Sequence, residues 1–339
     1  MNKLLKPYDI VEIYKNATKD VIKYVHNNGS ETTIKTVNTC IGPAGIVDKS
    51  KAVMFISVSS GCSQKCKFCY LTSKKFPFCQ LDTNTIIKSC LEVLKKSTEQ
   101  LEGKYLKISF MGMGDAFASK TDMNEIVKKV FLFAYCKGMI AGIDGVDIGT
   151  SYPNVDNSGI YNSINMLKET IFHLNIPFNP FYNYNKIAME YPDSRTPVRL
   201  FISLHSINDT VRSYLMPNSS SIQRILDDIK NIDIDVIFHY IMFDGINDSQ
   251  DDIEKILAFF DRDTMRKYEL RILRYNMDMN TAGLAESPVV NEAINTLKQS
   301  KLKFKYQISA GSEISASCGQ FLCRRFTDRK ENSSVSSMV

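Results

Sequence analysis

The sequence predicts an α/β protein built as a partial (β/α)6 barrel, and three observations lead to this fold class. From residue 51 onward, apolar runs rich in β-branched and aromatic residues alternate with stretches of helical periodicity. Repeated βα units give a parallel sheet with right-handed crossovers and helices outside. A length of 339 residues with 44% hydrophobic content suits one large core with a small appendage. Finally, a cysteine cluster directly follows the first strand, at the end where parallel barrels carry their chemistry.

Six strands and six helices account for the barrel, which we assign to residues 51–305. The predicted strands cover residues 52–58, 105–111, 145–150, 198–205, 236–243 and 269–275. The predicted helices cover residues 83–96, 123–135, 158–172, 221–231, 251–260 and 290–298. Residues 174–195 are rich in proline, tyrosine and asparagine, which favours an inserted loop.

Three shorter segments flank the barrel. Residues 1–50 are expected to form a small N-terminal α+β appendage, with an amphipathic helix over 8–25 and a β-hairpin leaning on the core. Residues 306–330 form a C-terminal extension that contains Cys318. The serine-rich tail 331–339 is expected to be disordered.

Composition narrows the class of protein. Three of the nine cysteines cluster within one loop and no secretory signal is seen, so we interpret them as metal-binding or catalytic thiols of a cytoplasmic protein. No apolar run approaches the roughly 20 residues that a membrane-spanning helix needs. A net charge of +5 is compatible with a polyanionic partner and does not establish one.

The cysteine cluster has the spacing C-x3-C-x2-C, formed by Cys62, Cys66 and Cys69. A structural zinc site closes four tetrahedral positions and normally needs a second cysteine pair or histidines, and no second pair follows. Three thiolates can instead bind three irons of a [4Fe-4S] cluster and leave the fourth iron open for another ligand. Buried, unrelated cysteines or a zinc site are the alternative interpretation.

Other candidate residues follow later strands. Gly114 allows the backbone to approach a ligand closely, and the carboxylate of Asp115 can accept hydrogen bonds from an ammonium group. His205 ends the fourth strand, and Cys318 lies between small residues near the C-terminus. Taken singly, these features also fit an ordinary turn, a core histidine and an inert buried cysteine.

Together, these segments resemble one family, the RlmN and Cfr radical S-adenosylmethionine (SAM) RNA adenine methyltransferases. The phenylalanine before the third cysteine, Phe68, is typical of the radical SAM superfamily as a whole. The family's ordered motifs match residues 59–62, 110–115, 203–217, 240–248 and 316–320, and the resemblance covers about residues 28–321. The long S-L-H to L-M-P match and the terminal C-G-Q are specific to this family.

The resemblance implies both a mechanism and a set of site residues. Adenine C2 and C8 are not nucleophiles, so the family methylates Cys318's counterpart with one SAM and uses a second SAM at the cluster to generate a 5'-deoxyadenosyl radical. That radical takes hydrogen from the S-methyl group, the resulting carbon radical adds to adenine, and a second cysteine resolves the adduct. The implied cluster ligands are Cys62, Cys66 and Cys69, and the implied SAM-pocket residues are Gly114, Asp115, Ser203, Leu204 and His205.

The resemblance also implies partners: an RNA substrate (rRNA or tRNA) and an electron donor such as flavodoxin or ferredoxin, with a monomeric enzyme expected. The chain departs from the family pattern at several positions. Phe55 or Ser57 stands where the family has its resolving cysteine, and Lys35 replaces a proposed proton-accepting acid. Gly149 and Arg271 replace a serine and an asparagine. Two alternatives therefore stay open, a radical SAM enzyme with another substrate and a relative that binds RNA without turnover.

Overall fold

The computed structural model describes residues 5–37, 40–41, 47–48, 51–155, 158–179, 197–275, 283–300 and 302–307. The strands in these ranges are β1 (Ile10–Lys15), β2 (Val21–His26), β3 (Glu31–Val37), β4 (Cys40–Ile41), β5 (Val47–Asp48), β6 (Lys51–Ile56), β7 (Ser59–Ser60), β8 (Cys79–Gln80), β9 (Tyr105–Phe110), β10 (Gly142–Thr150), β11 (Val198–Ser203), β12 (Asp235–Tyr240), β13 (Glu269–Leu273) and β14 (Phe304–Gln307). The helices are α1 (Tyr70–Ser73), α2 (Thr83–Lys96), α3 (Thr98–Leu101), α4 (Met123–Cys136), α5 (Ser158–His173), α6 (Asp209–Leu215), α7 (Ile222–Ile229), α8 (Gln250–Phe260) and α9 (Val290–Gln299).

One ten-stranded sheet organises the fold, in the order β1-β2-β3-β6-β9-β10-β11-β12-β13-β14. From β6 to β14 every neighbouring pair is parallel. The six predicted barrel strands correspond to β6 and β9 through β13, which confirms the predicted fold class. The short strand β14 adds a seventh parallel strand that sequence periodicity did not reveal.

The N-terminal appendage is an antiparallel meander, so the predicted helix over 8–25 is wrong. β1 pairs with β2, β2 with β3, and β3 with β6, so the meander extends the barrel sheet itself. The cause is a turn inside the predicted helix: the Asn16 side chain accepts a hydrogen bond from the Val21 amide (3.0 Å), and Lys19 adopts a positive φ of 56°. A β-branched run on each side of such a turn favours strands.

The main core lies between the sheet and the helices. On β9, the side chains of Leu106, Ile108 and Phe110 join this core, so the alternate residues Lys107 and Ser109 face the opposite surface, the barrel interior. The same alternation places Asp147 of β10 and Arg199 of β11 on the interior face, where they form an ion pair (2.7 Å). None of the helices in the described ranges combines the length and apolar composition needed to cross a bilayer.

Candidate iron–sulfur and SAM site

The loop that carries the three cysteines begins at Gly61, directly after β7. Gly61 has φ of 71°, and a Cβ there would lie 2.4 Å from the carbonyl oxygen of Pro77. Only glycine therefore allows this close approach of the two loops. The loop ends where Cys69 caps the N-terminus of α1, with its amide donating to the carbonyl of Cys66 (3.1 Å).

Contacts with three other parts of the barrel fix the cysteine loop. Four hydrogen bonds hold it: Lys67 N to Leu215 O (2.9 Å), Asn218 Nδ2 to Ser63 O (3.0 Å), Ser151 Oγ to Gln64 Oε1 (3.2 Å) and Tyr275 Oη to Phe68 O (3.3 Å). Ser151 follows β10, Leu215 and Asn218 lie at and after the end of α6, and Tyr275 follows β13. The loop is thus bonded at the same edge of the sheet as the sequence-predicted SAM residues, which follow β9 and lie at the end of β11.

Phe68 packs between the cysteines and the end of β11. Its ring lies edge-on to the imidazole of His205, with centroids 4.7 Å apart, and nearly parallel to Phe243 at 5.6 Å. Asn247 fixes the backbone of His205 next to these rings, because its Nδ2 donates a hydrogen bond to the carbonyl of His205 (2.6 Å). The structure therefore joins the cysteine motif and the S-L-H motif into one site.

His205 has a defined protonation state. Its Nδ1 accepts a hydrogen bond from the Ile241 amide (3.0 Å), which leaves the ring proton on Nε2. Burial, together with the charge of Arg212, holds the pKa of His205 well below its usual value. The imidazole is therefore a neutral Nε2–H donor beside the cysteine loop.

The three thiols fit a [4Fe-4S] cluster. Burial raises the pKa of Cys62 to about 11, and burial followed by the neighbouring Cys69 and Cys62 raises that of Cys66. Thiols that raise one another's pKa lie close together and need a cation to become thiolates. No three His, Cys, Asp or Glu side chains in the described ranges are gathered tightly enough for a single metal ion. In a [4Fe-4S] cluster, each of three thiolates would bind a separate iron.

Gly114 and Asp115 form the turn after β9. Gly114 has φ of 90°, and a Cβ there would meet Ser59 Oγ at 2.2 Å, so the turn packs tightly on β7. The buried Asp115 carboxylate accepts hydrogen bonds from the Ser151 amide (2.6 Å) and the Thr150 hydroxyl (3.1 Å), and the single proton of the Ser151 hydroxyl is shared between Asp115 (2.9 Å) and Gln64 Oε1 (3.2 Å). Two further amides, those of Phe117 and Ala118, also donate to it. Burial raises the pKa of Asp115, and these donors oppose that effect.

The other predicted SAM residues differ in what they can offer. Ser203 ends β11 and is only partly buried on the interior face. Leu204 places its side chain in the core, and its amide donates to the His239 carbonyl (2.8 Å). Contact of these residues with SAM stays a prediction. Cys318, the predicted methyl carrier, lies outside the described residues.

Arg212 lies within the matched segment 203–217, and the sequence alone does not reveal its role. Arg212 is 1% exposed, and its guanidinium donates to the carbonyls of Ser203, Leu204 (2.7 Å), Ser151 (2.7 Å) and Ser220 (3.2 Å). Burial lowers the pKa of Arg212 to about 10. A buried cation thus ties together the ends of β10 and β11 beneath the cysteine loop.

The departures from the family motifs have structural consequences. The Ser57 hydroxyl donates to the Glu31 carbonyl and accepts from the Met113 amide (3.0 Å), so it fastens three strands together. Phe55 pairs with Thr33 across the sheet and lies beside β9. A Cβ on Gly149 already meets Met111 Cγ at 2.7 Å, which leaves little room for the family's serine without a shift of that methionine.

A parallel barrel whose first strand leads into three neighbouring cysteines is typical of proteins that hold a [4Fe-4S] cluster through three thiolates. The sequence profile of the radical SAM superfamily matches residues 56–260, more than half of the chain. The protein belongs to the radical SAM superfamily and therefore uses a [4Fe-4S] cluster and SAM. When bound, the cluster supplies the single electron that cleaves SAM.

The comparisons with individual proteins support the narrower resemblance. The chain is 25% identical over 283 residues to "Dual-specificity RNA methyltransferase RlmN" of Campylobacter jejuni, covering 81% of this chain and 68% of the relative. It is 29% identical over 279 residues to "Ribosomal RNA large subunit methyltransferase Cfr" of Clostridium botulinum, covering 79% and 68%. The resemblance to RlmN and Cfr expected from the motifs is confirmed.

One solved structure supports the fold. A radical SAM methyltransferase from Sphaerobacter thermophilus superimposes with a TM-score of 0.59 at 19% identity, covering 92% of this chain and 80% of that one. At this identity the likeness shows the shared fold. It agrees with the parallel barrel described above.

Proposed function

We propose that this protein is an RNA methyltransferase that transfers a methyl group to C2 or C8 of an adenine in rRNA or tRNA, with Cys318 as the methyl carrier. The observation that carries the proposal is the packing of the cysteine loop on the family-specific S-L-H to L-M-P segment. The Lys67 amide donates to Leu215 and the Phe68 ring contacts His205, so the segment specific to RlmN and Cfr forms a wall of the cluster site.

Each described residue has a defined task in this proposal. Cys62, Cys66 and Cys69 hold the cluster, and the turn at Gly114 and Asp115 provides a closely packed edge for the methionine end of SAM. His205, neutral and with its proton on Nε2, donates one hydrogen bond into the site. Relatives named RNA methyltransferases support the RNA substrate.

We further propose that the protein works as a cytoplasmic monomer and receives electrons from a flavodoxin or ferredoxin. The domain boundaries at residues 50, 305 and 330 stay predictions. The candidates for a replacement resolving thiol are Cys323, Cys79 and Cys40. Cys79 is exposed in β8, whereas Cys323 and the side chain of Cys40 lie outside the described residues.

A direct test begins with the isolated protein. Peptide mass analysis is expected to find an S-methyl group on Cys318 after incubation with SAM, and not in Cys318→Ala. Cluster-loaded protein with SAM, reductant and RNA is then expected to yield 2- or 8-methyladenosine on nucleoside mass analysis. Unmodified Cys318 together with unmethylated RNA would contradict the proposal.

A second candidate function is a radical SAM reaction on another substrate. The observation that favours it is the environment of Ser57, one of the two residues, with Phe55, that can stand in place of the family's resolving cysteine, because its hydroxyl is bonded to Glu31 and Met113. Lys35 on β3 likewise puts a cation where the family has an acid. Production of 5'-deoxyadenosine without any methylated nucleoside would identify this second function.

A further inference from the structure

The charge distribution around the cysteine loop is one-sided. Residues 49–81 contain no aspartate or glutamate, although the chain as a whole has 37 acidic residues among 339. The same stretch contains six lysines: Lys49, Lys51, Lys65, Lys67, Lys74 and Lys75. The segment around the cysteine motif is therefore strongly basic, although the charges of the whole chain nearly balance.

Four of these lysines lie on two adjoining loops. Lys65 and Lys67 flank Cys66, and Lys74 and Lys75 directly follow α1. The close approach of Gly61 to Pro77 sets the loop after α1 beside the cysteine loop. Lys65 and Lys75 are exposed.

None of these four lysines forms an ion pair with an acidic residue of the described ranges. The fourteen ion pairs found there all involve other basic groups. Lys67 instead lies over the ring of Tyr214, with Nζ 3.3 Å from the centroid, and Lys74 lies over Tyr70 at 5.6 Å. Their positive charge is thus free of acidic partners among the described residues and available to an acidic surface.

Two exposed aromatic side chains border these lysines. Tyr214 and Phe78 are each 49% exposed. Exposed aromatics bordered by charge are typical of protein–protein contact sites. We call the surface formed by Lys65, Lys67, Lys74, Lys75, Phe78 and Tyr214 the lysine face.

The position of the lysine face distinguishes between two kinds of partner. A nucleobase substrate has to reach the SAM side of the cluster, because SAM occupies the open iron. An electron can enter from the protein side, through the loop of the ligating thiols. Lys65 and Lys67 are sequence neighbours of Cys66, so a carrier seated on them is separated from the cluster by little more than the loop itself.

We propose that the lysine face is the docking surface for an acidic one-electron carrier protein, such as a flavodoxin. The carrier gives up one electron and is oxidised by one unit, and the cluster gains that electron and passes from the 2+ to the 1+ state. Complementary charge steers the encounter and raises the association rate. This inference depends on the cluster that superfamily membership entails, and the methyl acceptor takes no part in it.

The test follows reduction of the cluster-loaded protein by flavodoxin hydroquinone in stopped flow, without RNA. Lys65→Glu/Lys75→Glu is expected to lower the second-order rate constant about tenfold or more at low ionic strength, with the difference shrinking at high salt. The matched control is Lys128→Glu/Lys137→Glu, which makes the same charge change at exposed positions of α4 and the turn after it. Its rate constant is expected to stay within about twofold of wild type.

Two further measurements keep the result unambiguous. Reduction by dithionite and iron content are expected to be the same in all three proteins, which shows that the cluster itself is intact. An unchanged flavodoxin rate in Lys65→Glu/Lys75→Glu, or an equal fall in the control, would overturn the inference. Loss of RNA binding with an unchanged flavodoxin rate would assign the lysine face to RNA and also overturn it. Failure of the methyltransferase proposal would leave every one of these rates untouched.

Discussion

The ring of Phe68 stands edge-on against the imidazole of His205, with 4.7 Å between their centroids, and this contact joins the cysteine loop to the end of β11. Aromatic pairs of this geometry contribute about 0.5–1.5 kcal/mol beyond the area they bury. We expect Phe68→Ala to loosen the loop and to lower both iron content and SAM affinity, with Phe68→Tyr close to wild type.

The measurement is iron per chain after anaerobic reconstitution, followed by equilibrium dialysis with SAM. Phe172→Ala is the control, because Phe172 is an equally large side chain, 51% exposed, on α5 and away from the site. Full iron occupancy and unchanged SAM binding in Phe68→Ala would show that the ring contact does not position the cluster loop.

The cluster itself can be tested by metal content. Because three thiolates leave one iron open, we expect about four irons per chain and an EPR signal of the reduced cluster that changes when SAM is added. Replacing Cys62, Cys66 or Cys69 by Ala should abolish both, whereas Cys136→Ala, an exposed cysteine at the end of α4, should change neither. Stoichiometric zinc without iron would refute the assignment of the three ligands.

Asp115 provides a test of whether its buried carboxylate binds SAM. Its carboxylate is already occupied by Thr150 and Ser151, so a SAM ammonium group has to share it with these donors. We expect Asp115→Asn to destabilise the protein by about 1–3 kcal/mol, because an amide nitrogen then faces N–H and O–H donors. SAM affinity should fall in Asp115→Asn and hold or rise in Thr150→Val, which frees one acceptor position and leaves the bond from Ser151 to the cysteine loop in place.

Urea unfolding of the cluster-free protein measures the stability change, and dialysis of the loaded protein measures SAM affinity. Equal losses of SAM affinity in Asp115→Asn and Thr150→Val would indicate that the carboxylate only stabilises the turn.

The structure also shows which features the sequence could reveal. The starts of α2 and α4 match the predicted helices because Asp82 and Asp122 accept from the third amide that follows, a local signal. The meander was not predicted because residues 8–25 have an apparent helical periodicity, and the turn formed by the Asn16 side chain separates them into two strands. The carbonyl groups that accept from Arg212 lie in separate segments up to 61 residues away, so no local sequence pattern predicts these hydrogen bonds.

We predict that His26 makes the N-terminal meander less stable at acidic pH. It lies fully buried at the end of β2, bonded to the Tyr8 carbonyl and the Thr32 hydroxyl (both 3.0 Å), and burial lowers its pKa to about 4. The unfolded chain, with a pKa near 6.5, binds the extra proton first, so stability is full above about pH 6.5 and falls as pH drops toward 4. The loss amounts to about 3 kcal/mol.

Urea unfolding between pH 7 and pH 4 checks this expectation. His26→Gln should lose about 3 kcal/mol less than wild type across that range. His173→Gln is the control, because His173 is exposed at the end of α5. Identical pH profiles for wild type and His26→Gln would contradict the prediction.

Arg212 gives the last prediction, since it is a buried cation held by carbonyl oxygens and by no ion pair with a carboxylate of the described ranges. The charge of Cys66 acts on Arg212, so the guanidinium lies close enough to favour a negatively charged cluster. Arg212→Met removes that charge and leaves four carbonyls without their donor. We expect cluster-free protein to lose about 3 kcal/mol or more of stability.

Removal of the positive charge should also make the cluster harder to reduce. The midpoint potential is expected to become more negative by about 60 mV for each 1.4 kcal/mol of lost electrostatic stabilisation. Arg224→Met removes the same charge at a site that bonds Asn154 (2.6 Å) and the Val155 carbonyl, and it should leave the potential unchanged. EPR-monitored redox titration of both variants separates the two roles of Arg212, because a stability loss with an unshifted potential would mean that it braces the strand ends without influencing the cluster.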